Sequence, residues 1–150
     1  MAGRIIGVGQ QWAGDDGVGI AVIRRLREMS VLSIDLVEAP DPTQLVTLLT
    51  DGANPVVIVD AVLDEGPAGR VLVDPQRPDP LSEHLLSTHG LGVMEAIELA
   101  RIAHPEEVSQ EIFIVGITIQ SAGRGGSVLS AAVADAVPPA AARALEIAKT

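Results

Sequence analysis

The chain has 150 residues, with 10 basic and 20 acidic side chains and a formal net charge of −10 at pH 7. Its length suits a single domain over residues 1–150, and an apolar content of 47% can fill one core. The acidic balance argues against nucleic acid and anionic membranes as partners, and the lack of cysteine excludes disulfides, thiolate metal sites and a cysteine nucleophile.

Short runs rich in Val and Ile predict buried strands, and most lack the strict alternation of a sheet exposed on one face. In chain order these strands are Arg4–Val8, Ser33–Val37, Val56–Asp60, Arg70–Val73 and Ile112–Val115. Apolar stripes at helical spacing alternate with them: Val18 to Met29, Thr43–Leu49 after Pro42, Leu91 to Arg101, and a last helix from Leu129. We expect Pro138–Pro139 to break that last helix before it resumes through Ala140–Ala148.

Alternating strands and helices predict an α/β protein with a mostly parallel sheet. The Gly66–Gly69 turn is too short for a helical crossover, so the fourth strand is predicted to be an antiparallel edge strand. The proline-rich segment Asp74–Ser87 predicts an irregular surface loop.

The N-terminus lacks the basic start and apolar stretch of a signal peptide, and no apolar run approaches the roughly 20 residues that span a bilayer. A cytoplasmic protein without a membrane segment is therefore expected.

Three polar features are predicted at the carboxyl ends of the strands, where open α/β sheets bind ligands. Asp15 and Asp16 lie in a glycine-rich loop after the first strand, Asp60 ends the run VVIVD, and His89 precedes a helix in STHGLG. Together, two carboxylates and an imidazole could hold a divalent metal with open positions, or polarise a water for hydrolysis.

Each of these residues also has a purely structural interpretation. Asp15 or Asp16 could cap the first helix, because a carboxylate accepts amide hydrogen bonds at the positive end of the helix dipole. Asp60 could bind nearby loop amides, and His89 could cap the helix that follows it. The remaining histidines, His84 and His104, are predicted to be surface residues.

Other known sites fit these residues less well. A dinucleotide site needs a third glycine where this loop has Trp12, and a phosphate-binding P-loop needs a lysine, whereas the chain's only lysine is Lys149. A phospho-receiver domain also pairs acids with a strand-end aspartate, but its acids directly follow the first strand and it needs a lysine after the fifth. No G-x-S-x-G serine-hydrolase elbow occurs.

Five segments, in this order, carry a family resemblance over nearly the whole chain: GVGQQWAGDDGVG, VIVDAV, STHGLG, IVGITIQ and GGSVLS. The sequence resembles the hydrogenase maturation proteases, endopeptidases that trim the C-terminus of the large subunit of nickel–iron hydrogenases. The resemblance implies a three-layer α/β/α sandwich around a twisted five-stranded sheet. It also implies an aspartic-type peptidase that carries no metal of its own.

The resemblance further implies that Asp16, Asp60 and His89 bind the nickel already present in the hydrogenase large-subunit precursor. Nickel would act as the recognition handle, so that only metallated precursor is cut. Asp16 would then point into the cleft, while Asp15 would cap the helix or hold the loop. A nickel-sensing chaperone that docks on the precursor without cutting it is the alternative function.

The sequence departs from the usual family pattern at three places. Gln10 stands where Asn is usual, the segment Glu38–Thr43 replaces a glycine-rich stretch found in many members, and Ala131 stands where Pro is usual. The prolines of Glu38–Thr43 stiffen this rim and indicate a different substrate surface. None of these departures removes a proposed nickel ligand.

Overall fold

The computed structural model describes residues 2–10, 14–31, 33–77, 91–120 and 128–149. Its sheet contains β1 (Arg4–Val8), β2 (Asp35–Ala39), β3 (Val56–Leu63), β4 (Val71–Gln76) and β5 (Ile112–Ile119). These five strands lie in the order β2-β1-β3-β5-β4. Only β4 runs antiparallel to its neighbour among the described strand pairs, and it lies at the edge of the sheet. The predicted mostly parallel sheet with one antiparallel edge strand is therefore confirmed.

The described helices are α1 (Val18–Glu28), α2 (Leu45–Leu49), α3 (Leu91–Ala103) and α4 (Ala131–Ala148). The 3₁₀ turns Gly14–Gly17 and Pro42–Gln44 lead directly into α1 and α2. One buried apolar cluster joins α1 and α4 to one side of the sheet, and a second joins α2 and α3 to the other side. This arrangement is the three-layer α/β/α sandwich. No helix in the described ranges is long and apolar enough to cross a membrane.

Residues of β3 alternate between the two layers, and this alternation decides which way a polar side chain on β3 faces. Val57 and Val59 belong to the cluster with α1 and α4, whereas Val56 and Ile58 belong to the cluster with α2 and α3. Asp60 follows in the same alternation as Val56 and Ile58. It therefore lies on the α3 side of the sheet.

Strand boundaries differ from the sequence-based prediction for identifiable reasons. β2 begins at Asp35 and not at Ser33, because Ser33 has a left-handed φ of +66° that a strand cannot accommodate. β3 and β5 continue to Leu63 and Ile119 because they keep pairing with each other beyond the end of β1. β4 includes residues 74–76 of the predicted loop, with Pro75 tolerated because β4 is an edge strand. The rest of that loop from residue 78 lies outside the described residues.

The predicted break in the last helix is wrong, since α4 is continuous from Ala131 to Ala148 with both prolines inside it. A proline has no N–H, so Pro138 and Pro139 cannot bond the carbonyls of Ala134 and Asp135. All four of these residues are exposed, so water can solvate the two carbonyls. The opposite side of α4 keeps an unbroken buried stripe: Val133, Ala136, Ala140, Ala144 and Ile147. Packing of this stripe on the sheet outweighs the local cost of the prolines.

An ion-pair cluster secures the amino edge of the sheet, away from the carboxyl ends of the strands. Arg4, at the start of β1, donates hydrogen bonds to Asp35 at 2.7 Å, to Asp51 at 2.6 Å and to the Leu48 carbonyl at 2.8 Å. The hydrogen bond from Arg4 lowers the pKa of Asp51 below its ordinary value. The folded protein therefore favours the charged form of Asp51.

Replacing Asp51 by Asn should lower the free energy of unfolding at neutral pH by up to about 1 kcal/mol, since the Asp51 side chain is 40% exposed although that of Arg4 is largely buried. The folded-state pKa lies below the unfolded value of about 3.9, so this contribution is present above about pH 4. It is lost as the pH falls through the folded-state pKa. Urea unfolding of wild type and variant at about pH 7 and pH 3 measures this, and an equal difference at both pH values would contradict it.

Candidate active site

Asp60 occupies the point where β1 ends and the sheet opens. β3 pairs with β1 only as far as Val59, opposite Gly7, and Asp60 is the next residue. On its other side Asp60 lies opposite Gly116 of β5. Its side chain is 1% exposed, and its Oδ1 accepts a hydrogen bond from the Ala61 N–H at 2.9 Å.

The prediction that Asp60 ends its strand needs correction, because β3 continues to Leu63 beside β5. Asp60 was predicted to lie at the ligand-binding edge of the sheet, and this still applies on the β1 side, where the pairing of β3 with β1 ends at Val59. A buried carboxylate at this position costs free energy unless hydrogen bonds or a cation compensate for its lost hydration.

Asp16 lies in the 3₁₀ turn between β1 and α1, and this turn contacts β3. Its side chain is partly exposed, with Oδ1 buried. Gly9, with φ of +137°, brings the end of β1 so close that an added Cβ would lie 2.3 Å from the Asp16 carbonyl oxygen. The backbone of Asp16 is therefore packed directly on the chain leaving β1.

The first turn of α1 packs against the backbone next to Asp60. A Cβ added to Gly19 would lie 2.4 Å from the Val59 carbonyl oxygen and 2.5 Å from the Val8 carbonyl oxygen. Only glycine permits this approach of the helix to the two strands. Gly9 and Gly19 together bring the turn that carries Asp16 to the same edge of the sheet as Asp60.

Of the two roles predicted for Asp15, capping of α1 is absent and holding of the loop agrees with its hydrogen bonds. Its Oδ1 accepts a hydrogen bond from the Ser130 N–H at 2.7 Å, and its Oδ2 accepts one from the Ser130 hydroxyl at 2.8 Å. Ser130 is the residue at the N-terminus of α4, so Asp15 joins the loop after β1 to the last helix. The sequence pattern does not single out Ser130 as a partner of Asp15, although Ser130 ends the family segment GGSVLS.

His89 and His84 lie outside the described residues, and the set of two carboxylates and a histidine stays a prediction. Within the described ranges, no group of three or more Asp, Glu or His side chains could hold a metal ion. In the sequence His89 comes two positions before Leu91, the first residue of α3, and Asp60 lies on the α3 side of the sheet. His104, the remaining histidine, is exposed as predicted.

The rim after β2 is a capped turn beside a shallow groove. Asp41 accepts a hydrogen bond from the Thr43 N–H at 3.0 Å, which lowers the pKa of Asp41, and the Gln44 side chain accepts one from the Asp41 N–H. Pro42 lies so close to Gly92 of α3 that an added Cβ would be 3.1 Å from the proline ring. A groove of about 220 Å³ lies between this rim and α3.

The arrangement can supply carboxylate oxygens, which suit hydrolytic chemistry and the binding of a divalent cation.

The sequence of the chain matches the family model described as HycI, hydrogenase maturation protease, over residues 20–147. The chain belongs to the hydrogenase maturation protease family. As a member of that family it is a peptidase. The matched range includes Asp60 and position 89, and it begins just after Asp16.

Individual proteins and solved structures are similar to this chain over most of its length. Protein FrxA of Pyrococcus furiosus is 33% identical over 138 residues, which cover 89% of this chain and 93% of FrxA. The [NiFe] hydrogenase maturation protease HybD from Thermococcus kodakarensis is 25% identical, with a TM-score of 0.80 over 99% of this chain and 100% of that chain. The hydrogenase maturating endopeptidase HybD from E. coli shares the fold, with a TM-score of 0.77 at 17% identity over 97% of this chain and 91% of its own.

Proposed function

We propose that this peptidase removes a C-terminal peptide from the nickel-loaded large-subunit precursor of a nickel–iron hydrogenase. The proposal rests on membership of the family and on the described carboxylates at the carboxyl edge of the sheet. The precursor is both substrate and partner, and the reaction takes place in the cytoplasm. The protease needs no metal of its own, because the nickel arrives as part of the substrate.

In this proposal Asp16, Asp60 and His89 hold the substrate's nickel beside the scissile peptide bond. A carboxylate is a hard anionic ligand and an imidazole is a borderline one, a combination that suits divalent first-row metals. A water polarised by a carboxylate or by the metal attacks the carbonyl carbon, and the proton it loses passes to the leaving amine. The chain has no cysteine, so a thiol nucleophile is excluded. We assign the peptidase to the aspartic type because two of the three proposed reacting groups are aspartates.

The observation that carries the proposal is the placement of Asp60. This residue is 1% exposed and directly follows the last pair between β3 and β1, and β3 contacts the turn that bears a second carboxylate. An amide or hydroxyl could make the same hydrogen bond at lower desolvation cost. A carboxylate at this position is favoured where a cation, here the nickel of the substrate, enters the site during function.

The proposal predicts a nickel-dependent loss of mass from the precursor. The purified protein should be incubated with nickel-loaded and nickel-free precursor from the same source, and intact masses should be measured. We expect a single C-terminal peptide to be released from the nickel-loaded precursor and no cleavage of the nickel-free one. Binding without any mass change would favour the non-catalytic chaperone, and equal cleavage of both precursors would overturn the role of nickel as handle.

A further inference from the structure

The loop after β1 and the segment before α4 are joined by a contact between residues 115 positions apart. Both carboxylate oxygens of Asp15 are engaged, one by the N–H and the other by the hydroxyl of Ser130. The Ser130 side chain makes no capping bond to its own helix. This contact therefore ties α4 to the turn that carries Asp16, and it lies outside the proposed set of nickel ligands.

The turn that carries Asp16 needs such a tether because of its backbone. Gly14, with φ of +60°, precedes Asp15, and Gly17 follows Asp16, so the two acids stand between glycines. Glycine has more conformational freedom than any other residue. The backbone of a short turn between two glycines, and with it the position of its side chains, therefore varies unless other contacts restrain the turn. On one side Gly9 packs against the Asp16 carbonyl, and on the other side Asp15 binds Ser130.

We propose that Asp15 is a positioning residue, which through its two hydrogen bonds to Ser130 sets the location of the Asp16 carboxylate for catalysis. This inference rests on the proposed function for its effect on cleavage. The two adjacent acids thereby have different roles. Asp15 holds the turn in place through its hydrogen bonds, and Asp16 supplies a negative charge to the site. A mutation that keeps the geometry should therefore be tolerated at position 15 but not at position 16.

Three substitutions test this difference. Asp15→Ala removes both hydrogen bonds and should lower the cleavage rate at saturating precursor by about 10- to 100-fold, because small displacements of a reacting group cost that much. Asp15→Asn should stay within about threefold of wild type, since its amide can accept from the Ser130 N–H and donate to the Ser130 hydroxyl. Asp16→Asn should lose at least as much activity as Asp15→Ala, because the charge is removed at a proposed ligand.

Asp35→Ala is the matched control. It removes another partly exposed carboxylate, which accepts a hydrogen bond from Arg4 at the opposite edge of the sheet. Rates should be measured well below the unfolding temperature of every variant. We expect Asp35→Ala to cleave like wild type even if it is less stable. If Asp15→Ala also cleaves like wild type, or if Asp15→Asn is as impaired as Asp15→Ala, the positioning role is overturned.

A double-mutant cycle separates positioning from a general structural effect. Adding Asp15→Ala to Asp16→Asn should change the affinity for nickel-loaded precursor by less than about threefold, because the group being positioned has already lost its charge. Its effect on the unfolding temperature should be the same in both backgrounds. Independent, additive effects on affinity would show that Asp15 does not act through Asp16.

A measurement without precursor keeps this inference separate from the proposed function. Ser130→Ala removes the hydrogen bond from the Ser130 hydroxyl to Asp15 and keeps the one from the Ser130 N–H. Because position 130 is far from Asp16 in sequence, this variant can replace Asp15→Ala in the test if Asp15→Ala does not fold. The amide order parameter of Asp16 should fall from about 0.85 toward 0.6 in Ser130→Ala but not in Asp35→Ala. An unchanged value overturns the tether, whereas a wild-type protein that leaves precursor uncut overturns only the proposed function.

Discussion

Replacing Asp60 by Asn should reduce processing of nickel-loaded precursor by more than about 100-fold while leaving the fold intact. Loss of an outer-shell partner of a metal ligand already costs about 10- to 100-fold, and loss of a ligand should cost more. The amide oxygen of Asn can still accept the hydrogen bond that the Ala61 N–H donates to Asp60. Asn also has nearly the same shape and volume as Asp, so the free energy of unfolding of the variant should stay within about 2 kcal/mol of wild type.

The measurement combines the intact-mass assay with urea unfolding of the same preparation. Asp64→Asn is the matched control, because Asp64 follows β3 and its carboxylate pairs with Arg70 at 3.3 Å on the surface. It should process precursor at the wild-type rate. A stable Asp60→Asn variant with normal processing would exclude Asp60 from the reaction, and a strongly destabilised one would indicate a structural role instead.

Replacing Gly19 by Ala should destabilise the protein by about 3 kcal/mol, at the upper end of the cost of overpacking. The new methyl group would lie 2.4 Å and 2.5 Å from two carbonyl oxygens that belong to adjacent strands, and neither strand can move without disturbing the sheet. Relief therefore requires α1 to move away from β1 and β3. Because the turn with Asp16 leads directly into α1, processing should also fall below the wild-type rate in the protein that remains folded.

Thermal unfolding measures this effect, and a domain of this size should lose about 10 °C in its midpoint. Gly66→Ala is the control, since its new methyl group would meet only the flexible ends of the Asp64 side chain at 3.2 Å and the Arg70 side chain at 3.5 Å. It should shift the midpoint by no more than about 2 °C. Equal midpoints for Gly19→Ala and wild type would mean that α1 does not pack on the strands as closely as described.

The positions of the strands could be predicted from local sequence pattern, but not all of their ends. Apolar runs located all five strands, because a strand buried on both faces needs Val and Ile at successive positions. The short Gly66–Gly69 turn also predicted the antiparallel edge strand correctly. The ends of β3 and β5 were not predictable in this way, because each strand continues only as long as the other remains beside it.

The last helix shows the opposite outcome. Two consecutive prolines predict a break from local rules alone, yet α4 continues through them. The deciding facts are that Pro138 and Pro139 face solvent and that the buried stripe on the other side is uninterrupted. Neither fact is local, since both depend on which side of the helix meets the sheet.

For the candidate site, the sequence by itself determined the residue types and their place in the chain order: acids after β1, an acid on β3, and a histidine before α3. Periodicity, turn length and glycine content are local properties, so they can be read without coordinates. Only the tertiary structure decided that Asp15 binds Ser130, that β1 stops beside Asp60, and that Gly9 and Gly19 bring the turn with Asp16 to the same edge. These contacts join residues far apart in the chain, and their geometry exists only after the sheet and its two helical layers have packed.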